Sequence, residues 1–189
     1  MATASLEAAN LFNVKGLVAV ITGGGSGLGL MMAHALALNG AHKVYIIGRR
    51  QSVLEAASKS VPTNNIIPIV GDVLSKDSLA SAVSQITSDV GYINIFIANS
   101  GIGGPQAALS KPLPPNSTLQ DFIQSWSSVS IEEYEKTFEL NVSAVWFSIM
   151  AFLPLLEKGN EKGNVAQRSQ VLTTSSIAGF NGMAPSYRI

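Results

Sequence analysis

The sequence predicts a doubly wound α/β fold, in which a parallel sheet carries helices on both faces. Short apolar runs rich in β-branched residues recur along the chain and are predicted as five strands: 17–22, 43–47, 66–70, 93–98 and 170–174. Stretches with helical spacing alternate with them, at 28–38, 53–59, 79–90 and 131–156. This alternation places a ligand crevice at the carboxyl ends of strands one and four, where the winding reverses.

The composition fits one domain over residues 1–189. The chain is 47% hydrophobic and 13% charged, which argues against disorder. Basic and acidic residues number 12 each, and no basic run extends beyond Arg49-Arg50, so nucleic acid is not an expected partner. There are no cysteines, which excludes disulfides and thiolate metal sites, and no metal site is predicted.

Two apolar features bear on location. Residues 1–10 contain Glu7 and lack the apolar core of a secretory signal, so we expect a cytoplasmic protein. The apolar stretch 142–156 contains Pro154 and is shorter than a bilayer requires. We therefore predict a buried helix there and no membrane partner.

Residues 22–29 read Thr-Gly-Gly-Gly-Ser-Gly-Leu-Gly, between the first strand and the first helix. Gly23 permits a tight turn, Gly27 lets the backbone approach a pyrophosphate, and Gly29 allows the helix to pack closely on the strand. The helix N-terminus adds free N–H groups and positive partial charge. The alternative is a glycine-rich loop with no ligand. Because the pattern leaves Gly24 free, Gly24→Ala is expected to be milder than Gly27→Val. The predicted cofactor contacts of this turn are Thr22, Gly23, Ser26, Gly27, Leu28 and Gly29.

The end of the second strand bears on which dinucleotide is bound. An acidic residue there would bind the ribose 2′-hydroxyl of NAD, whereas an arginine accommodates the 2′-phosphate of NADP. The strand is followed by Arg49 and Arg50, with no carboxylate. Two guanidiniums suit phosphate, so NADP is favoured over NAD. The alternative is that Arg50 merely caps a solvated helix start.

Residues 101–130 are predicted as one long irregular segment, with Pro105, Pro112, Pro114 and Pro115 among scattered serines. Connections of this length inside a compact domain are usually lids, substrate loops or mobile insertions. We expect it to border the active site; a solvated excursion without substrate contact is the alternative.

Five motifs in order carry a family resemblance. The glycine turn has one more residue between its first two glycines than the general dinucleotide fingerprint. It is followed by Asp72-Val73, by Asn99-Ser100-Gly101, by Asn141, and by Ser-Ser-Ile-Ala-Gly at 175–179. Together they resemble the short-chain dehydrogenase/reductase family of classical type, and the chain is similar to fungal members. The resemblance implies a Rossmann-like fold.

The resemblance also implies roles for the binding residues. Asp72 would bind the adenine amino group, with Val73 against the ring, unless Asp72 is simply a helix N-cap. Asn99, Ser100 and Gly101 would line the adenine ribose, with Ser100 standing where the family has alanine.

The implied reaction is hydride transfer between nicotinamide and a small alcohol or ketone. Asn141 would support a proton relay and Ser176 would hold the substrate oxygen. For either residue, a backbone hydrogen bond with no catalytic role is the alternative. The function predicted is therefore that of an NADP-dependent oxidoreductase.

The resemblance is incomplete at the carboxyl end. The family's proton donor is the tyrosine of Tyr-x-x-x-Lys, and Tyr187 has no lysine four positions on. We expect the last strands of a seven-stranded sheet to be missing, which leaves the fifth strand as an uncovered edge. The alternative function is a catalytically inactive, nucleotide-binding remnant. Members of the family form homo-oligomers, and the resemblance implies that the helix carrying the tyrosine packs beside the predicted helix 131–156 in their interface. Because that tyrosine helix is missing, we expect these apolar residues of the helix 131–156 to be partly bare: Val145, Trp146, Phe147, Ile149 and Phe152.

Overall fold

The computed structural model describes residues 12–104, 114, 116–127 and 129–176. Its strands are β1 (Val18–Thr22), β2 (Lys43–Gly48), β3 (Ile66–Val70), β4 (Ile95–Ala98) and β5 (Gln170–Thr173). Its helices are α1 (Gly27–Leu38), α2 (Gln51–Ser58), α3 (Lys76–Asp89), α4 (Leu119–Ser127), α5 (Ile131–Phe138) and α6 (Ala144–Lys162). A π-helical turn, Glu139–Ser143, joins α5 to α6.

The strands form one parallel sheet in the order β3-β2-β1-β4-β5. Ile21 of β1 lies between Ile46 of β2 and Ile97 of β4, so β1 is central and the winding reverses between β1 and β4. The predicted doubly wound fold is confirmed. β5 pairs with β4 alone among the described strands, and it is the expected edge.

The two faces of the sheet bury two separate apolar clusters because side chains alternate along each strand. On one face, Val20 and Phe96 pack with residues of α3 and α6, including Ile86. On the other face, Ile21 and Ile46 pack with residues of α1 and α2. Helices therefore cover both faces, as the sequence predicts.

The apolar residues of α6 divide between core and surface. Phe152 is fully buried and its ring stacks on Phe96, with 4.8 Å between centroids, so the expectation that it is bare is wrong. Trp146 is 59% exposed and Phe147 is 43% exposed, as expected. The reason is helical periodicity, because Phe152 lies on the side of α6 that faces the sheet.

The helical region is longer than the sequence suggests. Helical residues run from Ile131 to Lys162, long and apolar enough to cross a membrane by length and composition alone. The expectation that this stretch is too short to cross a bilayer is therefore wrong as regards the length of the helix. Phe152, Leu155 and Leu156 nevertheless lie in the sheet's apolar core, so α6 packs as a core helix. It ends at Gly163, whose φ of 60° is the left-handed conformation of a helix C-cap.

The predicted irregular segment 101–130 contains a helix, α4, and the prediction is wrong there. The backbone N–H of Thr118 donates to Asp121 Oδ2 at 2.8 Å, and the N–H of Asp121 donates to Thr118 Oγ1 at 3.2 Å. This reciprocal pair is a capping box that begins the helix. The hydrogen bonds from Thr118 lower the pKa of the Asp121 carboxyl. Residues 105–113 and 115 of the segment lie outside the described residues.

An amide network, of which Asn94 is buried and Asn164 is exposed, joins the strands at their amino-terminal ends, opposite the carboxyl ends. Asn94 Oδ1 accepts from the backbone N–H of Val18 at 2.9 Å, and Asn94 Nδ2 donates to Asn164 Oδ1 at 3.0 Å. Asn164 Nδ2 in turn donates to the carbonyl of Gly16 at 2.8 Å. The start of β1 is thereby fixed to the segments that precede β4 and β5.

An ionic cluster ties β2 to the end of α3. Lys43 Nζ and Tyr45 Oη both donate to the carboxylate of Asp89, each at 2.5 Å. These two hydrogen bonds lower the pKa of Asp89. Burial, reinforced by the Asp89 carboxylate, raises the pKa of the Tyr45 phenol.

Candidate functional site

A cleft of about 730 Å³ opens at the carboxyl ends of the strands, where the sequence places the ligand crevice. Most of the predicted site residues line it: Gly23, Ser26, Leu28, Arg49, Arg50, Asp72, Val73, Asn99, Ser100, Gly101, Asn141 and Ser176. Thr22, Gly27 and Gly29 do not line it; Thr22 holds the residues after β4 through its hydroxyl, and the two glycines shape the turn. The fold thus brings residues from the ends of all five described strands and from the α5–α6 junction to one cavity.

The glycines of the turn do what the pattern predicts at three positions. Gly23 and Gly27 have φ of 68° and 54°, in the left-handed region that favours glycine. A Cβ at Gly29 would lie 2.4 Å from the carbonyl oxygen of Gly23, so α1 packs directly on the turn. A Cβ at Gly27 would meet no atom within 4 Å. Gly27 therefore faces open space and presents bare backbone to it.

Gly24 is not free, and the expectation of a mild Gly24→Ala is wrong. An added Cβ would lie 2.5 Å from Ile46 Cγ2 and 3.1 Å from the carbonyl oxygen of Ile21. Ile46 is fully buried in β2 and has little freedom to move. The neighbouring Gly25 is also close-packed, since its Cβ would lie 3.1 Å from Leu54 Cδ2.

The N-terminus of α1 is open at the cleft. Ser26 occupies the N-cap position with extended backbone, yet its side chain makes no capping hydrogen bond. A serine at this position normally accepts a hydrogen bond from one of the first N–H groups of the helix. The hydroxyl of Ser26 and the first N–H groups of α1 are thus both available, an arrangement that suits an anion.

The floor of the cleft is held by Thr22 and Asn99. Thr22 is buried, and its Oγ1 accepts from the backbone N–H groups of Asn99 at 3.0 Å and Ser100 at 3.1 Å. Asn99 Nδ2 donates to the carbonyl of Thr22 at 3.1 Å, and Asn99 Oδ1 accepts from Thr174 Oγ1 at 3.1 Å. These bonds connect the carboxyl ends of β1, β4 and β5.

Arg49 and Arg50 lie exposed on the cleft after β2. Neither guanidinium forms an ion pair or a side-chain hydrogen bond with another described residue. Arg50 occupies the N-cap position of α2, but its side chain does not cap the helix. The alternative that Arg50 serves only as a helix cap therefore explains its place at the start of α2. It does not explain why a charged guanidinium lies at the cleft.

Asp72 follows β3 and turns its carboxylate into a tight loop. Asp72 Oδ1 accepts from the backbone N–H of Leu74 at 3.0 Å, and the Asp72 N–H donates to Ser78 Oγ at 2.9 Å. The N-cap of α3 is Ser75, whose hydroxyl accepts from the Ser78 N–H. The N-cap alternative for Asp72 is wrong, while Val73 is buried at the cleft wall.

Asn141 lies in the π-helical turn, a local widening that is frequent at functional sites. Its Oδ1 accepts from the N–H of Ile102 at 2.9 Å, and its Nδ2 donates to the carbonyl of Ile102 at 2.8 Å. Both amide groups are therefore occupied by one residue, 39 positions away in sequence. Asn141 holds the loop after β4 against the α5–α6 junction.

Several lining residues were not predicted from the sequence: Gly25, Gly48, Val53, Leu54, Gly71, Ile102, Leu140, Val145, Thr174 and Ser175. The sequence indicates Val145 only as an apolar residue of the predicted helix 131–156. The helical phase of Leu140, Asn141 and Val145 could have indicated one common face. Ser176 also lines the cleft, while Tyr187 lies outside the described residues. Among the described residues there is no group of His, Cys, Asp or Glu side chains able to hold a metal ion.

These features define a class, the dinucleotide-binding α/β proteins: a 3-2-1-4-5 parallel sheet, a glycine turn at a helix N-terminus, and a crevice at the reversal point. The family model for short chain dehydrogenases matches residues 17–187. The chain therefore belongs to the short-chain dehydrogenase/reductase family.

Similar proteins include fungal members of the family. The short-chain dehydrogenase/reductase PhomF of Diaporthe leptostromiformis is 50% identical over 94% of this chain and 60% of its own length. The short-chain dehydrogenase/reductase VdtF of Byssochlamys spectabilis is 41% identical over 93% of this chain and 63% of its own length. The chain thus spans about 60% of the length of the curated relatives it matches.

Solved structures share the fold. The RhlG/NADP active-site complex of Pseudomonas aeruginosa superposes with a TM-score of 0.71 at 23% identity, covering 93% of this chain and 60% of that one. The 3-ketoacyl-(acyl-carrier-protein) reductase of Brucella melitensis, complexed with NADH, gives 0.71 at 26% identity, covering 91% and 62%. Nicotinamide dinucleotides of both kinds therefore occur among proteins of this fold.

Proposed function

We propose that this chain is the cofactor-binding part of an NADP-dependent oxidoreductase that transfers a hydride between nicotinamide and a small alcohol or ketone. The observation that carries the choice of cofactor is the pair Arg49 and Arg50. Both guanidiniums lie on the cleft after β2 with no carboxylate partner among the described residues. Charge-assisted contacts from guanidinium to phosphate are strong, and NADP differs from NAD by one phosphate.

The described residues fit such a dinucleotide. The bare backbone at Gly27 and the uncapped N-terminus of α1 suit the pyrophosphate. Arg49 and Arg50 suit the 2′-phosphate, and Asp72 with Val73 suits the adenine, at the β2–β3 side of the cleft. The remaining wall, with Asn141 and Ser176, is left for the nicotinamide end and the substrate.

The bound cofactor supplies or accepts the hydride, and the chain's own residues place the reactants. Asn141 fixes the backbone of Ile102, which shapes the loop after β4 at the edge of the cleft. We assign to Ser176 the holding of the substrate oxygen, because Ser176 lines the cleft just after β5. The apolar side chains of Leu140 and Val145 line the same cleft and would limit the access of water to it.

The cofactor assignment is tested by calorimetric titration with NADPH and NADH. We expect NADPH to bind at least about tenfold more tightly, since a charged hydrogen bond contributes about 1.5–3 kcal/mol. Arg49→Ala should remove most of this preference, whereas Arg168→Ala, an exposed arginine in the loop before β5, should keep it. Equal affinity for the two cofactors in the unaltered chain would refute the proposal.

Turnover separates this proposal from the alternative of an inactive nucleotide-binding remnant. The measurement is steady-state consumption of NADPH with a panel of aldehydes, ketones and quinones. Because residues 1–189 contain no Tyr-x-x-x-Lys, we expect them to bind NADPH with negligible turnover. A version extended through a Tyr-x-x-x-Lys segment should recover activity, and binding without turnover by that extended version supports the remnant. That residues 1–189 form one domain and that the protein is cytoplasmic both stay predictions.

A further inference from the structure

The charged residues that line the cleft all lie on one side of β1. Arg49 and Arg50 follow β2 and Asp72 follows β3, so these charges belong to the β2–β3 half of the cleft. Within the described residues, the lining contributed by β4, β5 and the α5–α6 junction includes no Asp, Glu, Lys, Arg or His side chain. An ionised group placed against this second half would lose hydration without gaining a partner of opposite charge.

Ile102 is fixed at the entrance to this uncharged half. Residues 101–104 read Gly-Ile-Gly-Gly, so Ile102 supplies the only side chain of this run after β4. Asn141 binds both polar groups of its backbone, at 2.9 Å for the N–H and 2.8 Å for the carbonyl. A Cβ at Gly101 would lie 3.2 Å from Asn141 Oδ1, so glycine there permits this close approach. The side chain of Ile102, 39% exposed, therefore lines the cleft from a fixed position.

Two further apolar side chains extend this surface. Leu140 and Val145 line the same half of the cleft, and both are partly buried against the apolar cluster of the sheet. Ile102 lies close to them, because its backbone is bound to Asn141, which follows Leu140 directly. Anchored apolar side chains with exposed area in a cleft suit an apolar group of a ligand.

We infer that Ile102 determines the choice of substrate, and that the substrate is an uncharged ketone or alcohol that places an apolar group against Ile102. The inference rests on the proposed function, in which this half of the cleft takes the nicotinamide end and the substrate. It narrows the substrate from small alcohols and ketones in general to those with a neutral, apolar substituent beside the reacting carbon. A carboxylate or phosphate on that substituent would meet no cation among the described residues of this half.

The test is a ligand-observed NMR titration of the NADPH-loaded chain with acetophenone and with 4-acetylbenzoate, which differ by a single carboxylate. We expect acetophenone to bind at least about tenfold more tightly. Ile102→Ala should weaken acetophenone binding about three- to tenfold, because apolar contact area is lost. Ile102→Lys should reverse the preference, because the carboxylate then gains a cation.

The matched controls are Ile131→Ala and Ile131→Lys. Ile131 is exposed on α5 and does not line the cleft. Both control variants should bind the two ketones as the unaltered chain does. Ile102→Ala should also keep the NADPH affinity of the unaltered chain, since the inference gives Ile102 a substrate contact and no cofactor contact.

The outcomes distinguish the inference from its premise. Equal affinity of the unaltered chain for the two ketones, or unchanged affinities in both Ile102 variants, would overturn the inference while leaving the proposed function intact. A loss of NADPH affinity or of ligand-free melting temperature in Ile102→Ala that matches the loss of acetophenone binding would indicate a structural role and would also overturn it. NADPH binding without binding of either ketone would overturn the inference alone. Failure of the unaltered chain to bind NADPH would overturn the proposed function and this inference with it.

Discussion

The first four strands and their helices bury most of their apolar residues, whereas the α4–α5 region leaves apolar residues exposed. From Val18 to Ala98, each strand contributes to both apolar clusters and each helix contributes to one of them. In α5 and the π-helical turn no residue is buried, and Ile131 is 72% exposed and Phe138 is 53% exposed. α2 in the first region and α5 in the second are both amphipathic in sequence. An amphipathic pattern can therefore form a helix, but burial requires a facing surface, and within the described residues only the sheet provides one.

The largest expected effect contrasts two phenylalanines across this divide. Phe152→Ala removes a fully buried ring that stacks on Phe96, and it should lower the free energy of unfolding by about 3–5 kcal/mol. Phe138→Ala removes an exposed ring and should change it by less than about 0.5 kcal/mol. Denaturant unfolding of both variants is the measurement. Similar losses for the two would show that the α5 surface is covered in solution.

The second prediction contrasts two glycines of similar backbone conformation, Gly27 in the glycine turn and Gly163 at the end of α6. Their φ angles are 54° and 60°, and a Cβ at either meets no atom within 4 Å. Valine at either position should destabilise the fold by about 1–2 kcal/mol through backbone strain. Only Gly27→Val should also weaken NADPH binding, by roughly 100-fold or about 2.8 kcal/mol. If calorimetry gave equal NADPH affinities for the two variants, the assignment of this turn to the phosphates would be wrong.

The third prediction concerns close packing inside the first region. Gly24→Ala forces a methyl group against buried Ile46 and should destabilise the fold by about 1–3 kcal/mol. Gly25→Ala meets the flexible end of Leu54 and should have a smaller effect. Thermal unfolding compares the two. The reverse order would mean that Ile46 moves more easily than Leu54.

The smallest effect is electrostatic. The pKa of Asp89 is lowered by hydrogen bonds from Lys43 and Tyr45. Its contribution to stability is therefore present above the ordinary aspartate pKa and is lost as the pH falls through the lower pKa of the folded state. Because the carboxylate is partly exposed, Asp89→Asn should lower stability at pH 7 by about 1 kcal/mol or less. Unfolding curves from pH 7 to pH 2 should converge for variant and unaltered chain, and a constant difference would contradict this account.

The sequence predicts the sheet more reliably than the packing on it. The β-branched runs at 17–22 and 66–70 correspond to β1 and β3 within one residue. Of the predicted site residues, all but Thr22, Gly27 and Gly29 line the cleft. Alternation and strand-end chemistry are local properties, so a single sequence suffices for them. The predicted roles of these residues in binding and catalysis stay predictions.

The expectations that the structure corrects depend on contacts between residues that are distant in the sequence. The clash at Gly24 is set by Ile46, which belongs to another strand. The burial of Phe152 depends on the side of α6 that meets the sheet, and a composition of apolar residues does not give that orientation. The helix α4 is not predicted for another reason. The prolines and serines that precede it indicate an irregular segment, and only the capping pair Thr118 and Asp121 marks the start of the helix.

The side-chain hydrogen bonds at the two ends of β1 and β4 have a consequence for the rate of ligand binding. Asn94 fixes the start of β1 beside β4, and Thr22 with Asn99 fixes their ends. With both ends held, the two strands need no rearrangement before a ligand enters the cleft at their carboxyl ends. Association of a dinucleotide should then be a single step whose observed rate rises linearly with ligand concentration, and the lifetime of the complex should depend on dissociation alone.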